Sequence, residues 1–269
     1  MYARHPLQQR TILQRVRASR GTLSGLSEQD LAVDNTTEIT DQNHIGGLRF
    51  VEELARRAGI GPTSRVLDLG CGLGGSARSL ASMFDCRVHG IDFSPKRCRE
   101  ASRLTALVGL SHLVTFSCGD FRSARVPVHM FDVLWGQSAW VHMDDKRKFI
   151  RRWSRALKDG GRIAMEDAFL KALPSGVAQH KILKQLENQW KSYLVSIQEW
   201  VNVLKTESFV ISTCEDHTEQ MTDHFRKLLK ASRGNPDIPK EEVIAWRNAV
   251  RLSDYGLLSY NRVVAEKAD

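Results

Sequence analysis

The chain has 269 residues, of which 42% are hydrophobic and 26% charged, a composition typical of a globular protein that excludes global disorder. No stretch reaches the roughly 20 apolar residues that a membrane-spanning helix needs, so we expect no membrane span. The net charge of +8 is compatible with an anionic ligand or nucleic acid, but it fits an ordinary basic enzyme better.

The cysteines and the N-terminal arginines bear on the compartment. Five cysteines are scattered along the chain without a C-x-x-C pair, which is typical of neither a disulfide framework nor a zinc site and favours a reducing environment. The first 27 residues contain five arginines and no acid before Glu28, a pattern that a transit peptide also shows. We favour a basic segment of the mature protein and a cytoplasmic location.

The predicted elements begin with helices over 6–20 and 45–58 and a short helix near Ser27. Strands then alternate with helices, a pattern that predicts βαβ units and a parallel sheet. After Pro174 two helices form an insertion before the strands resume. The predicted strands are 65–69, 87–91, 114–117, 131–135, 162–166, 209–213 and 256–266, and the later helices are 75–84, 95–108, 144–157, 177–190, 196–206, 219–231 and 239–251.

The first strand ends in a glycine-rich turn, with the sequence VLDLGCGLGG over 66–75, and a helix follows. Glycines let a ligand approach the backbone, and the start of a helix offers unpaired N–H groups. Gly70, Gly72 and Gly75 also satisfy the dinucleotide pattern G-x-G-x-x-G, and Asp92 follows Gly70 by 22 residues. An NAD(P)-dependent oxidoreductase is therefore one alternative.

Three further features favour another class of protein. Asp68 stands two positions before the first glycine, the sequence CGDF over 118–121 closes the third strand, and LKDGGR over 157–162 introduces the fifth. Together these resemble the motifs of class I S-adenosylmethionine-dependent methyltransferases over residues 41–167. The segments 41–48 (DQNHIGGL) and 136–142 (GQSAWVH) resemble the small-molecule branch, which includes glycine/sarcosine/dimethylglycine N-methyltransferases, tocopherol-type C-methyltransferases and certain sugar O-methyltransferases.

The resemblance implies an α/β fold with a Rossmann-like, seven-stranded, mostly parallel sheet, helices on both faces and an antiparallel final strand. We expect a single domain over 1–269. Its parts would be an N-terminal helical lid (1–44), a cofactor-binding core (45–167), a helical substrate cap (168–207) and C-terminal core elements (208–269).

The resemblance also implies S-adenosylmethionine as cofactor, S-adenosylhomocysteine as product and no metal. Asp92 would accept hydrogen bonds from the ribose hydroxyls, and Phe93 would lie along the adenine. Asp120 would accept from the adenine amino group, while Phe121 would donate its backbone N–H. For each acid, a helix cap or a surface charge is the structural alternative. The predicted cofactor-binding set is completed by Gln42, His44, Asp68, Gly70, Cys71, Gly72, Arg97, Gly119 and Gln137.

His142 is the candidate general base, because a histidine side chain ordinarily titrates at ~6.5 and suits proton abstraction near neutrality. Asp167 or Glu166, at the end of the fifth strand, would orient it. A purely structural histidine that caps the following loop is the alternative, and His44 is a second candidate base. An amine acceptor would need no base, whereas a carbon acceptor would need an acid such as Glu166.

The acceptor is predicted to be a small molecule methylated on oxygen or nitrogen, as in secondary metabolism. Candidate pocket residues are Trp140, Trp190, Tyr193 and Trp200, which could instead pack the cap onto the sheet. The alternatives are a C-methyltransferase, an RNA or DNA methyltransferase and a non-catalytic cofactor-binding protein. A nucleic-acid partner is disfavoured, since 136–139 lacks the D/N-P-P-Y motif of base-amine enzymes and the basic helix 144–157 reads better as a solvated face. A homodimer is allowed.

Overall fold

The computed structural model of the protein describes residues 8–32, 40–42, 44–235 and 238–268. Its centre is a seven-stranded sheet in the order β3-β2-β1-β4-β5-β7-β6. The pairs along β3-β2-β1-β4-β5 are parallel, and β7 pairs antiparallel with both β5 and β6. The strands are β1 (Arg65–Leu69), β2 (Arg87–Asp92), β3 (Val114–Cys118), β4 (Phe131–Gln137), β5 (Leu157–Leu170), β6 (Phe209–Asp216) and β7 (Leu258–Lys267).

The predicted Rossmann-like fold with an antiparallel final strand is confirmed. The predicted N-terminal helix 6–20 falls partly outside the described residues, and its described part begins at Gln9. The helices are α1 (Gln9–Arg20), α2 (Glu28–Ala32), α3 (Gly47–Arg57), α4 (Gly75–Phe84), α5 (Pro95–Leu107), α6 (Lys146–Trp153), α7 (Val177–Trp190), α8 (Ile197–Thr206), α9 (Thr218–Ala231) and α10 (Lys240–Asp254).

One predicted helix is wrong at its C-terminal end. The prediction extended α6 to Leu157, since Phe149, Ile150, Trp153 and Leu157 follow helical spacing. The chain instead tightens into a 3-10 turn over Ser154–Ala156, and Leu157 already pairs with Phe131 of β4. Pairing with the sheet therefore overrides the helical pattern for the last of these apolar residues.

Two apolar clusters cover the two faces of the sheet. On one face α3 and α4 bury residues such as Leu54 and Leu80 against β1 and β2. On the other face α6 and α8 bury Trp153 and Trp200 against β4 and β5. Each helix contributes one apolar stripe, so the sheet is covered on both sides and its central strands are buried.

The two helices of the predicted cap pack in different places. Helix α8 lies with α6 on a face of the sheet, whereas Ile182 and Leu186 of α7 join α9 and α10 in a third apolar cluster. Between them, residues 191–196 run beside the end of β4, where the Tyr193 N–H donates to the Val141 carbonyl at 2.8 Å. No helix in the described ranges is long and apolar enough to span a bilayer.

Candidate active site

A cavity of about 320 Å³ lies at the carboxyl ends of β1 to β4. Ligands of open α/β sheets bind at this edge because the loops that follow parallel strands converge there. Residues from the glycine turn, from the ends of β2, β3 and β4, and from the segment between α7 and α8 line it. The predicted residues that line it are His44, Asp68, Gly70, Cys71, Gly72, Asp92, Phe93, Arg97, Asp120, Phe121, Gln137, His142 and Tyr193.

Gly70 brings backbone directly against the cavity. Its φ is +96°, and its N–H donates to the Ile91 carbonyl at 2.8 Å. A Cβ at this position would lie 2.5 Å from the Cβ of Ala139, which is closer than packed carbon atoms approach. Both the conformation and the space therefore require glycine at the point where the β1 turn meets the β4 loop.

Asp68 is a buried carboxyl group that lines the cavity. Its Oδ2 has no hydrogen-bond partner within the described part of the chain. Burial, assisted by the nearby negative charge of Asp92, raises the pKa of Asp68 to about 8. An unpartnered buried carboxyl is costly unless a ligand supplies a partner, so this position fits a ligand with a cationic or hydrogen-bond-donating group.

Asp92, at the end of β2, joins the glycine turn to the start of α5. Its Oδ2 accepts the N–H of Gly72 at 3.1 Å, and its Oδ1 accepts the N–H of Ser94 at 2.9 Å. Burial raises the pKa of Asp92, while these backbone bonds and the positive charge of Arg97 oppose the rise. The carboxylate is thus fixed in place before any ligand arrives.

Asp120 differs from the other two acids because its side chain is 41% exposed. It accepts hydrogen bonds from the backbone and guanidinium of Arg122, which lower its pKa. Phe93 is 57% exposed at the cavity, whereas Phe121 is buried against the rings of Phe149 and Trp153. Gly119 lies outside the lining formed by the described residues, and its N–H donates to the Asp92 carbonyl at 3.0 Å.

Gln137 is held on both sides of its amide. Its Oε1 accepts from Ser76 Oγ at 2.8 Å, and its Nε2 donates to Glu166 Oε2 at 2.8 Å. Arg262 donates from Nε to Glu166 Oε1 at 2.6 Å. Burial raises the pKa of Glu166 to about 7 although the positive charge of Arg262 opposes it. The structure therefore places Glu166 behind Gln137 as a support, and not among the described residues that line the cavity.

His142 ends a 3-10 turn, Trp140–His142, that follows β4. Its Nδ1 lies 3.1 Å from the carbonyl oxygen of Lys191. A carbonyl oxygen only accepts hydrogen bonds, so Nδ1 carries the proton and the neutral ring has its lone pair on Nε2. The predicted orienting residue Asp167 bonds the backbone of the turn, accepting the N–H groups of Trp140 at 2.8 Å and Val141 at 2.9 Å.

The segment 40–42 forms another wall of the cavity through Asp41. Gln42 lies behind this wall, where its Nε2 donates to Asp41 Oδ1 at 2.9 Å. His44 contacts the Ile45 carbonyl and the Gln42 side chain, each at 3.0 Å, and burial lowers its pKa.

A buried ion-pair network holds the N-terminal segment to the glycine turn. The fully buried guanidinium of Arg78 in α4 pairs with Asp41 at 2.6 Å and with Glu28 at 3.0 Å. The same guanidinium donates to the Leu73 carbonyl of the glycine turn at 2.8 Å. Asp41 and the backbone of the turn are thus fixed relative to each other.

The predicted tryptophans do not line the main cavity as the described residues define it. Trp140 and Trp200 are each 1% exposed in the core and pack on each other with ring centroids 6.1 Å apart. Trp190 packs on Phe225 at 5.8 Å in the cluster formed by α7, α9 and α10. These large apolar side chains fill the space between helices and sheet, and only Tyr193 of the four predicted residues reaches the cavity.

Sequence reasoning did not select ten residues that line the cavity. Several are sequence neighbours of predicted residues, which is the one local signal that could have found them. Lys191 is a neighbour of Trp190 and Tyr193, and the packing of the α7–α8 segment brings it near the end of β4. The ten residues are Asp41, Leu73, Gly75, Ser76, Arg122, Ser138, Ala139, Met143, Asp144 and Lys191. Among the described residues, no group of three or more His, Cys, Asp or Glu side chains could hold a metal ion.

Comparison with known proteins defines the class. Residues 66–161 match the family described as a methyltransferase domain. This match and the relatives below confirm the predicted resemblance to class I S-adenosylmethionine-dependent small-molecule methyltransferases.

Two curated relatives show the level of similarity. The chain is 27% identical over 239 residues to tocopherol O-methyltransferase of Arabidopsis thaliana, covering 84% of this chain and 66% of the relative. It is 29% identical over 172 residues to sarcosine/dimethylglycine N-methyltransferase of Halorhodospira halochloris, covering 64% and 60%. The alignments therefore span less than two thirds of either relative.

Two solved structures share the fold. Phosphoethanolamine N-methyltransferase 2 of Haemonchus contortus superposes with a TM-score of 0.76 and 19% identity, covering 98% of this chain and 61% of that chain. Geranyl diphosphate C-methyltransferase of Streptomyces coelicolor, in complex with S-adenosylhomocysteine, gives a TM-score of 0.71 and 19% identity, covering 82% and 79%. At these identities the likeness establishes the fold.

Proposed function

We propose that the protein transfers a methyl group from S-adenosylmethionine to an oxygen or nitrogen atom of a small-molecule acceptor. The observation that carries the proposal is the cavity in which the glycine turn, Asp68 and Asp92 meet His142. One part of this cavity consists of fixed backbone and buried acids, and the other part contains the imidazole ring of His142.

The residues present fit the cofactor. The unpartnered Oδ2 of Asp68 can accept from its amino-acid ammonium group, and Gly70 leaves room for close approach to the backbone. Asp92 is held by two backbone N–H groups with its carboxylate at the cavity, where it can accept from ribose hydroxyls. When bound, the cofactor would supply a methyl carbon bonded to a positively charged sulfur. A lone pair of the acceptor would bond to this carbon in line with the breaking carbon–sulfur bond, whose electron pair would stay on sulfur.

His142 is proposed as the general base. Because the Lys191 carbonyl accepts a hydrogen bond from Nδ1–H, Nε2 is the ring atom that would take the proton of an acceptor hydroxyl or ammonium group. The hydrogen bond also fixes the ring orientation, which counts because alignment supplies ~7–11 kcal/mol in well-oriented reactions.

Oxygen or nitrogen is favoured over carbon because of Glu166. Methylation of carbon needs an acid–base group that removes a proton from that carbon, and Glu166 was the sequence candidate for this role. Its carboxylate is occupied by Gln137 and Arg262 in a fully buried site. The names of the two curated relatives, tocopherol O-methyltransferase and sarcosine/dimethylglycine N-methyltransferase, specify oxygen and nitrogen, whereas the name of the structural neighbour geranyl diphosphate C-methyltransferase specifies carbon. Cytoplasmic location and dimerisation stay predictions.

The test is an acceptor panel with labelled S-adenosylmethionine. Sarcosine, dimethylglycine, phosphoethanolamine and a tocopherol-type phenol cover the amine and phenol classes, and transfer of label to one of them is expected. For a hydroxyl acceptor, His142→Ala should lower kcat at least tenfold and leave the affinity for S-adenosylhomocysteine within twofold. A fully active variant would exclude His142 as the base, and an absence of S-adenosylhomocysteine binding to the wild type would overturn the proposal.

A further inference from the structure

The 3-10 turn that ends in His142 is held by charged side chains that bond the backbone N–H and carbonyl groups of the same two residues. The N–H groups of Trp140 and Val141 donate to Asp167 Oδ2 at 2.8 and 2.9 Å. Their carbonyl oxygens accept from Lys146 Nζ at 2.8 and 3.1 Å. A carboxylate thus satisfies the donors and an ammonium satisfies the acceptors of one short piece of backbone.

Both charged groups are buried. Lys146, at the start of α6, is 7% exposed, and Asp167 in β5 is 3% exposed. Burial lowers the pKa of Lys146 to about 8, and the negative charge of Asp167 is the strongest effect that opposes the fall. Lysine is rarely buried to this extent, because desolvation of the ammonium is costly. In this buried position the ammonium group is stabilised by its hydrogen bonds to the carbonyl oxygens of Trp140 and Val141.

The position of this turn determines where His142 and Tyr193 lie. These two residues line the part of the cavity that we call the acceptor side. The Val141 carbonyl, which accepts from Lys146, also accepts the N–H of Tyr193 at 2.8 Å. His142 directly follows Val141, and its ring bonds Lys191 two residues before Tyr193. A shift of the Trp140–Val141 backbone would therefore move His142 and Tyr193 together.

We propose that Lys146 and Asp167 form a positioning pair that fixes the His142 ring and Tyr193 on the acceptor side of the cavity. The inference rests on the proposed function and adds to it a residue, Lys146, that does not line the main cavity defined by the described residues. The pair acts on the alignment of base and acceptor, because its hydrogen bonds end on the turn and not on the reactants. Lys146 is accordingly a positioning residue.

The central variant is Lys146→Met, which keeps the length of the side chain and removes its charge and donors. Lys148→Met is the matched control, since Lys148 lies on the same helix with an exposed side chain. Lys146→Arg tests for rescue by a conservative cation. Calorimetric titration with S-adenosylhomocysteine establishes in each variant that the cavity is folded.

The first readout needs no acceptor. In protein labelled with ¹³C-histidine, the His142 ring signal is assigned from its loss in His142→Asn. Lys146→Met should shift or broaden this signal while S-adenosylhomocysteine affinity stays within twofold of wild type. Lys148→Met should leave both unchanged. A His142 signal that is unmoved in Lys146→Met would overturn the inference, and so would a loss of S-adenosylhomocysteine binding that occurs with a native His142 signal.

The second readout is turnover with the acceptor identified in the panel. Lys146→Met should lower kcat at least tenfold with the KM for S-adenosylmethionine within twofold, and Lys146→Arg should recover part of the loss. In a cycle with Asp167→Asn, the double variant should be little worse than the worse single one, because both residues hold one turn. Additive losses would refute a pair that acts as a unit. If no acceptor is methylated, the proposed function fails, whereas the His142 signal still decides the positioning role.

Discussion

The two sides of the cavity are built by different means. The side proposed to hold the cofactor is centred on one βαβ unit. There Asp92 accepts the N–H of Gly72, which lies 20 residues earlier in the chain, and the Gly70 N–H donates to the Ile91 carbonyl. The acceptor side is assembled from distant parts of the chain, with His142 bonding Lys191 49 residues away. A ligand shared by many enzymes can be held by local backbone geometry, whereas a variable acceptor is met by side chains that only the tertiary fold brings together.

The buried acids of the cofactor side differ in exposure from Tyr193 of the acceptor side, whereas Phe93 and Asp120 are 57% and 41% exposed. Asp68 and Asp92 are 3% and 7% exposed, and burial raises the pKa of each carboxyl. Tyr193 of the acceptor side is 54% exposed. We therefore expect substitutions of Asp68 and Asp92 to affect stability or binding of S-adenosylhomocysteine, and substitutions of Tyr193 to affect mainly turnover.

The largest effect is expected for Gly70→Ala. A positive φ costs a residue with a Cβ about 1–2 kcal/mol, and the contact with Ala139 adds an overpacking cost of about 1–3 kcal/mol. We expect a loss of about 3 kcal/mol in the free energy of unfolding, measured with urea, and loss of S-adenosylhomocysteine binding. Gly109→Ala is the control, since Gly109 has a φ of +74° with open space around it. Equal losses in the two variants would show that the contact with Ala139 is unimportant.

Asp92→Ala should weaken the binding of S-adenosylhomocysteine about 100-fold, or about 2.7 kcal/mol. The variant loses the acceptor for the Gly72 and Ser94 N–H groups as well as the proposed ribose partner. Calorimetry measures the affinity directly. Asp159→Ala is the matched control, because the Asp159 side chain is 88% exposed and lies outside the cavity lining formed by the described residues. Unchanged affinity in Asp92→Ala would remove the ribose assignment.

Substitution of Asp68 is expected to have the smallest but most specific effect, which is a change in the number of protons released when S-adenosylhomocysteine binds. With its pKa at about 8, the carboxyl of the free protein is mostly protonated at pH 7. The ammonium group of S-adenosylhomocysteine favours the ionised form, so binding at pH 7 should release up to about one proton. Titrations in buffers of different ionisation enthalpy measure this release, and Asp68→Asn should abolish it. The same release in both proteins would place the titrating group elsewhere.

The pH dependence of stability provides a second measurement on Asp68. The unfolded chain loses this proton near its ordinary pKa of ~3.9, whereas the folded protein keeps it to about pH 8. The contribution of Asp68 is therefore fully present below pH ~4 and is lost as the pH rises towards 8. Asp68→Asn should flatten this part of the stability profile measured by urea unfolding. A profile that keeps the wild-type slope would contradict the raised pKa.

The same difference between the two sides explains what the sequence could predict. Strand and glycine signals are local, so the sheet and the placement of Asp68, Asp92 and Gly70 followed from the sequence and its resemblance to a known class. The end of α6 did not, because pairing of Leu157 with Phe131 competes with helical spacing. Trp200 was predicted to line a pocket because it is a large aromatic side chain in the inserted segment, but it fills the core. Lys146 could not be distinguished in the sequence from the other cations of the basic helix, because only the fold buries it.

The Arg78 network has a consequence for the extent of the structural unit around the glycine turn. Both carboxylates that neutralise this guanidinium, those of Glu28 and Asp41, come from the chain that precedes the matched methyltransferase segment. A shortened protein that starts after Asp41 would keep the cation beside the glycine turn with neither of these anions. Glu28 and Asp41 therefore belong to the structural unit that supports the glycine turn, and engineering that transplants the domain has to include them.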